Sequence, residues 1–121
     1  MANLTMYAYP QCGTCRKARK FLDEHDVPYD VVHIVEQPPS KAELKQWLNN
    51  SGLPIKKFFN TSGQQYRELG MKNKMNELSD DELLQLLADN GKLIKRPIVT
   101  DGEKVTVGFK EDEFRRNWIK K

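Results

Sequence analysis

Apolar and polar positions alternate through LTMYAY at residues 4–9, the period of a half-buried strand. After a short loop of Pro10 and Gln11 the period lengthens. Cys15, Ala18 and Leu22 recur at helical spacing with Phe21 beside them, predicting a helix over 13–26 that Pro28 stops. YDVVHIV, residues 29–35, predicts a second strand, and EQPPS a loop. Two helix starts carry their own punctuation. Ser40 to Glu43 and Ser79 to Glu82 each match a capping box, in which serine and glutamate satisfy free backbone N–H groups reciprocally. Leu44, Trp47 and Leu48 follow the first; Leu83, Leu84, Leu86 and Leu87 follow the second. Between them the pattern predicts a short helix, a turn at Ser62-Gly63, and a further helical turn closed by Gly70. A strand at 97–100, an Asp-Gly turn and a partner strand at 104–108 form a hairpin. A last helix over 111–119 places Phe114 and Trp118 one turn apart.

The order is β-α-β, a helical block, then β-β-α. We expect one α/β domain over 1–121 with a small mixed sheet and a helical insertion at about 38–92.

Composition narrows the setting. Of 121 residues, 38% are hydrophobic and 31% charged, enough apolar material for one core. No apolar run approaches a membrane span and the N-terminus lacks the parts of a signal peptide, so a cytoplasmic protein with no membrane contact is expected. Reduced thiols are the rule in that compartment. Twenty basic against seventeen acidic residues leave +3, and the local pattern says more than the sum. Arg16, Lys17, Arg19 and Lys20 follow Cys15; Lys92, Lys95 and Arg96 form a second group; RRNWIKK ends the chain. These groups suit an anionic ligand, an acidic partner or plain solvation. Zinc-finger spacings and RNP aromatics are absent, so direct nucleic-acid binding is not expected.

Cys12 and Cys15 are the only cysteines. Three readings compete: a redox pair, two inert core residues, or half of a metal site. Structural zinc usually takes four ligands, and adding His25 and His33 gives four donors with no familiar spacing. His25 also lies at the far end of the predicted helix from Cys15, so no metal centre is expected. The placement of C-x-x-C after a strand and at a helix start is the thioredoxin-like arrangement and favours redox chemistry. Free N–H groups and the dipole at a helix N-terminus favour a thiolate, and Arg16 would add to that if it turned back toward the sulfur. Cys15 shares the apolar face of the helix with Ala18 and Leu22, whereas Cys12 precedes the first turn. Cys12 is therefore the candidate nucleophile and Cys15 the resolving thiol.

In thioredoxin-like folds a cis-proline begins the strand facing the reactive cysteine, and Pro97 in KRPIV stands where that strand should start. Arg96 would then reach the mouth of the site with a planar guanidinium suited to an oxyanion. Gly13, Thr14, Arg16 and Pro97 complete the substrate-binding candidates around the cysteines. Such a site needs no metal, flavin or nicotinamide; its electrons would come from glutaredoxin, thioredoxin or a small thiol. A thiol reductant, protein or small molecule, is thus the expected partner.

Together YPQCGTCRKARKFLDEH, EQPPSKAEL, YRELG, LIKRPIV and VGFKEDEF resemble the arsenate reductase-like ArsC/Spx family nearly end to end. The resemblance implies a thioredoxin-like fold with a helical insertion. It also implies that Cys12 matches the nucleophile of the glutaredoxin-coupled arsenate reductases, and Arg96 the arginine before their cis-proline. Asn60 and Lys110 stand at the positions of two further arsenate-holding arginines, which this chain has replaced, and Cys15 stands where those enzymes tend to carry serine. The Spx branch implies a different role, a transcriptional regulator whose C-x-x-C switch modulates binding to the RNA polymerase α subunit's C-terminal domain. Gly52 lies in the loop comparable to that regulator's contact glycine. Ser62 follows Thr61 where Spx-like proteins soon carry an arginine, and Lys95-Arg96 partly matches their arginine pair.

Overall fold

In the computed structural model, residues 4–61 and 63–119 are described. Ser62 and the tail residues Lys120 and Lys121 lie outside the described residues. The first strand, β1 (Leu4–Ala8), buries Leu4, Met6 and Ala8 and half-buries the residues between them. β2 (Tyr29–His33) lies parallel to β1, with Leu4 opposite Tyr29 and Ala8 opposite His33. A parallel pair needs a crossover, and α1 (Gly13–Glu24) supplies it. β3 (Ile98–Thr100) pairs antiparallel on the other side of β1, and β4 (Val105–Val107) pairs antiparallel with β3. The sheet order is therefore β2-β1-β3-β4.

The pleat sends alternate side chains to two cores. Leu4, Met6, Ala8 and Val99 meet Cys15, Ala18 and Leu22 of α1 and Phe114 and Trp118 of α6 (Glu111–Trp118) on one face. Phe114 meets Phe21 and Phe109 edge-to-face, with ring centroids 5.9 and 4.8 Å apart. Ile98, the neighbour of Val99, faces the other core, built around Leu44, Trp47, Phe58, Leu87 and Leu93. That core belongs to the helical block: α2 (Lys41–Ser51), α3 (Gln64–Glu68), α4 (Met71–Glu77) and α5 (Asp80–Asp89), with short 3-10 turns at Ile55–Phe58 and Gly91–Leu93.

Both capping boxes form in full: Ser40 and Ser79 accept the N–H of Glu43 and Glu82, whose carboxylates accept the serine N–H in return. Several boundaries differ from expectation for visible reasons. α1 stops at Glu24, not Asp26, in a Schellman motif. Asp26 adopts φ 55, its N–H bonds Asp23 O, and the Val27 N–H reaches Leu22 O. β2 ends at His33, two residues early, because the His33 Nδ1 accepts the N–H groups of Val35 and Glu36 and turns the chain. Asp101 Oδ1 accepts the N–H groups of Glu103 and Lys104, drawing Lys104 into the turn, so β4 is shorter than the predicted 104–108. Gly70 does end α3, in the left-handed region at φ 63, but α4 starts directly after it, a helix that the sequence pattern did not separate. Gly91 has a packing reason: a Cβ there would meet the carbonyl oxygen of Ile34.

Candidate active site

The turn between β1 and α1 holds both cysteines. Cys12 is the N-cap of α1 with extended backbone (φ −85, ψ 118), and its N–H donates to Tyr9 O at 2.9 Å. Cys15, three residues on, is rotated onto the buried face and is only 1% exposed. Both are free thiols, Cys12 half-buried and Cys15 buried. The two environments pull the thiols apart. Partial burial raises the Cys12 thiol, but the thiol and N–H of Cys15, the Arg96 charge and the Thr14 N–H together outweigh it, and the net shift is downward. Burial pushes Cys15 up to about 12, aided by the hydrogen bond and charge of Cys12 and opposed by a hydrogen bond at Tyr9 and by Arg96. Cys12 therefore ionises more readily than an ordinary thiol, while Cys15 is held as a thiol at neutral pH.

Arg96 arrives on the segment leading into β3, the strand paired beside β1. The Arg96-Pro97 peptide is cis, and the Pro97 carbonyl accepts the N–H of Gly108 at 2.9 Å. The guanidinium is fastened at its back: Nη1 donates to Lys92 O at 3.1 Å and Ile94 O at 3.4 Å, and its carbon sits 5.0 Å from the centre of the Tyr9 ring. Its Nε is buried with no hydrogen-bond partner among the described residues. Arg96, not Arg16, is the cation acting on Cys12. Arg16, whose help depended on turning back toward that sulfur, instead lines a smaller cavity of about 160 Å³ with Cys15, Tyr9 and His33. The helix rotates residue 16 onto its outer side once residue 15 faces the core.

Cys12 opens into a cleft of about 410 Å³ shared with Thr14, Asn60, Arg96 and Lys110. Four of the sequence candidates thus meet Cys12 in one space. Asn60 is brought there by the Phe59–Ile94 bridge, with its N–H on Leu93 O at 2.7 Å, and its side chain packs against Gly63. Gly13 is the exposed first residue of α1, and Pro97 is buried under the cleft rather than lining it. The sequence pattern groups Lys95 with Lys92 and Arg96, and the cleft holds it as well; Lys57, Glu113 and the apolar wall of Leu53, Val107 and Phe109 carry no sequence signal for the site. Tyr9, the plate under Arg96, was read only as a strand residue. Its place directly before Pro10 in the cysteine loop was the available signal.

His25 lies beyond α1 with Nδ1 2.8 Å from Phe21 O, away from both cysteines. Among the described residues no three of His, Cys, Asp and Glu gather as metal ligands would, and no helix is long and apolar enough to cross a membrane.

Comparison with known proteins decides the family. The ArsC family signature matches residues 7–117. The chain belongs to the ArsC family. Among curated ArsC-like relatives, the uncharacterized protein YusI of Bacillus subtilis is 63% identical over 116 residues, covering 96% of this chain and 98% of YusI. The global transcriptional regulator Spx of Enterococcus faecalis is 37% identical over 113 residues, covering 93% of this chain and 84% of Spx. Among solved structures, an ArsC family related protein from Bacteroides fragilis superposes with a TM-score of 0.91 at 46% identity, covering 96% and 97% of the two chains. The fold is thioredoxin-like α/β, as expected for an ArsC member.

Proposed function

We propose that the protein is a thiol-dependent oxidoreductase of the ArsC family in which Cys12 attacks and Cys15 resolves. The observation that carries this reading is the opposed setting of the two thiols at one helix start, Cys12 lowered and open to the cleft, Cys15 raised and buried. The Cys12 thiolate attacks one sulfur of a substrate disulfide, forming a mixed disulfide and releasing the other sulfur as a thiolate that takes a proton from water. Cys12 then carries no charge, so two of the causes that raise Cys15 disappear. Cys15 loses its proton, attacks the Cys12 sulfur and expels the second substrate thiol. The substrate gains two electrons and ends as two thiols, and the protein, now a Cys12–Cys15 disulfide, has lost two. A dithiol such as thioredoxin or glutaredoxin, or two equivalents of a small thiol, restores them.

Arsenate fits this cleft poorly. An oxyanion is best held by planar forks, and only Arg96 supplies one, with Asn60 and Lys110 in place of arginines. Weak or absent arsenate reduction is the expected result, and robust turnover would overturn it. The test of the main reading is alkylation rate against pH in wild type, Cys12→Ser and Cys15→Ser. Cys12 should titrate below an ordinary thiol and react first; a Cys12 of ordinary thiol pKa, no faster than Cys15, would sink the assignment.

A second reading has its own support. An Spx regulator is a relative, and Gly52 caps α2 in an exposed left-handed conformation at φ 68, free to meet a partner. On that reading the cysteine pair would sense oxidants and alter binding to the RNA polymerase α C-terminal domain. Binding that changes between oxidised and reduced protein, without turnover, would favour the regulator; turnover with a thiol donor and no binding would favour the enzyme.

A further inference from the structure

We infer that the cleft beside Cys12 selects a polypeptide whose electrophilic cysteine is flanked by acidic residues. The inference rests on the oxidoreductase reading and names its substrate class. Lys57, Lys95 and Lys110 line the cleft with Arg96 and Cys12, and Glu113 is its one carboxylate. All three lysines are exposed, and among the described residues no carboxylate pairs with any of them. Three unpaired cations plus Arg96 around one nucleophile attract negative charge and raise its encounter rate.

The kind of anion follows from how the charges are built. A compact oxyanion calls for converging forks. Here the single guanidinium spends Nη1 on the Lys92 and Ile94 carbonyls. The remaining cations are point charges on flexible stems, coming from the 3-10 turn at Ile55–Phe58, the approach to Pro97 and the start of α6. Dispersed ammonium groups suit carboxylates spread along a chain. Leu53, Val107 and Phe109 add an apolar wall for the segment's own side chains. Glu113 repels an acid placed against it, so the selected segment carries its carboxylates on the lysine side.

The bond change is a disulfide exchange. The Cys12 thiolate attacks the cysteine sulfur of the peptide disulfide, and the other sulfur leaves with the electron pair. The test uses the full chain with Cys15→Ser, which halts the reaction at the mixed disulfide. Three peptides that differ only in residues flanking one cysteine (glutamates, lysines or glutamines) are each activated as a 2-thiopyridyl disulfide, and release of 2-thiopyridone is timed. At low salt the acidic peptide should react about tenfold faster than the neutral one, and the basic peptide slower. The spread should collapse at high salt. The acidic-to-neutral ratio should fall toward one in Lys57→Gln/Lys95→Gln/Lys110→Gln, and Glu113→Gln should raise it. Equal rates for the three peptides, or a preference for the basic one, would overturn the inference. So would a small anionic disulfide, the 2-thiopyridyl adduct of mercaptopropionate, accelerated as much as the acidic peptide. Exchange without charge order leaves the oxidoreductase reading standing, whereas a Cys12 inert to all three peptides and to iodoacetamide overturns both.

Discussion

Two sulfurs a single helical turn apart differ because the first turn of α1 rotates one outward and the other inward. Arg96 adds its charge to the outward one. Arg96→Gln should move the midpoint of Cys12 alkylation upward and slow the reaction at neutral pH, with rates converging on wild type once both thiols are ionised; an unchanged pH profile would remove Arg96 from the site. Cys15 makes the opposite statement about stability. Its folded pKa lies above that of an unfolded thiol, so its contribution is intact below about pH 8.5 and is lost as pH rises toward 12. In a Cys12→Ser background, burial still holds Cys15 up. Urea midpoints there should fall more steeply at alkaline pH than in Cys12→Ser/Cys15→Ala, and parallel slopes would show that Cys15 is not buried as described.

At the level of elements, the approach of the 3-10 turn at Gly91–Leu93 to the end of β2 controls how Arg96 is presented. Lys92 and Ile94 furnish the carbonyls that grip the guanidinium, and Gly91 lets that turn lie against Ile34. Gly91→Ala should cost about 1–3 kcal/mol by overpacking, and because the turn must shift, it should also raise the Cys12 midpoint. Chemical denaturation and the alkylation profile read the two effects separately; a stable variant with an unmoved midpoint would break the link. The capping boxes, the β-α-β order and the Asp-Gly hairpin were legible because each is written in adjacent residues. The Schellman end of α1 and the early end of β2 were not. The first depends on Asp26 accepting a left-handed backbone, which aspartate tolerates without announcing, and the second on a histidine ring serving as a local acceptor.

Across the whole molecule, two cores share one thin sheet. Adjacent residues of β3 serve them both, Ile98 one and Val99 the other, so neither core should melt alone. Trp47 reports the helical-block side and Trp118 the α1–α6 side. Single-tryptophan variants, Trp118→Phe and Trp47→Phe, should each show one urea transition by fluorescence and by circular dichroism, coincident within a variant. Phe114→Ala, which empties a fully buried ring position, should lower stability by about 3–5 kcal/mol and shift the Trp47 signal as much as the Trp118 signal. Separate transitions would show the helical block to be an independent unit.

The sequence alone determined what neighbouring residues settle among themselves: strand and helix periods, caps, the hairpin turn, and the asymmetry of Cys12 and Cys15, which needs only the 3.6-residue repeat. Its motifs also pointed to the ArsC family. Tertiary structure decided everything that requires distant segments to meet. It decided between Arg16 and Arg96 as the cation beside the nucleophile, because helical rotation carries residue 16 outward while the pairing of β3 beside β1 brings residue 96 in. It stacked Arg96 on Tyr9, and it gathered Lys57, Lys95, Lys110 and Glu113 around the cleft from three stretches of chain. Charge patterns along a sequence do not reveal which charges will share a space, since that depends on sheet order and on loops whose packing is long-range.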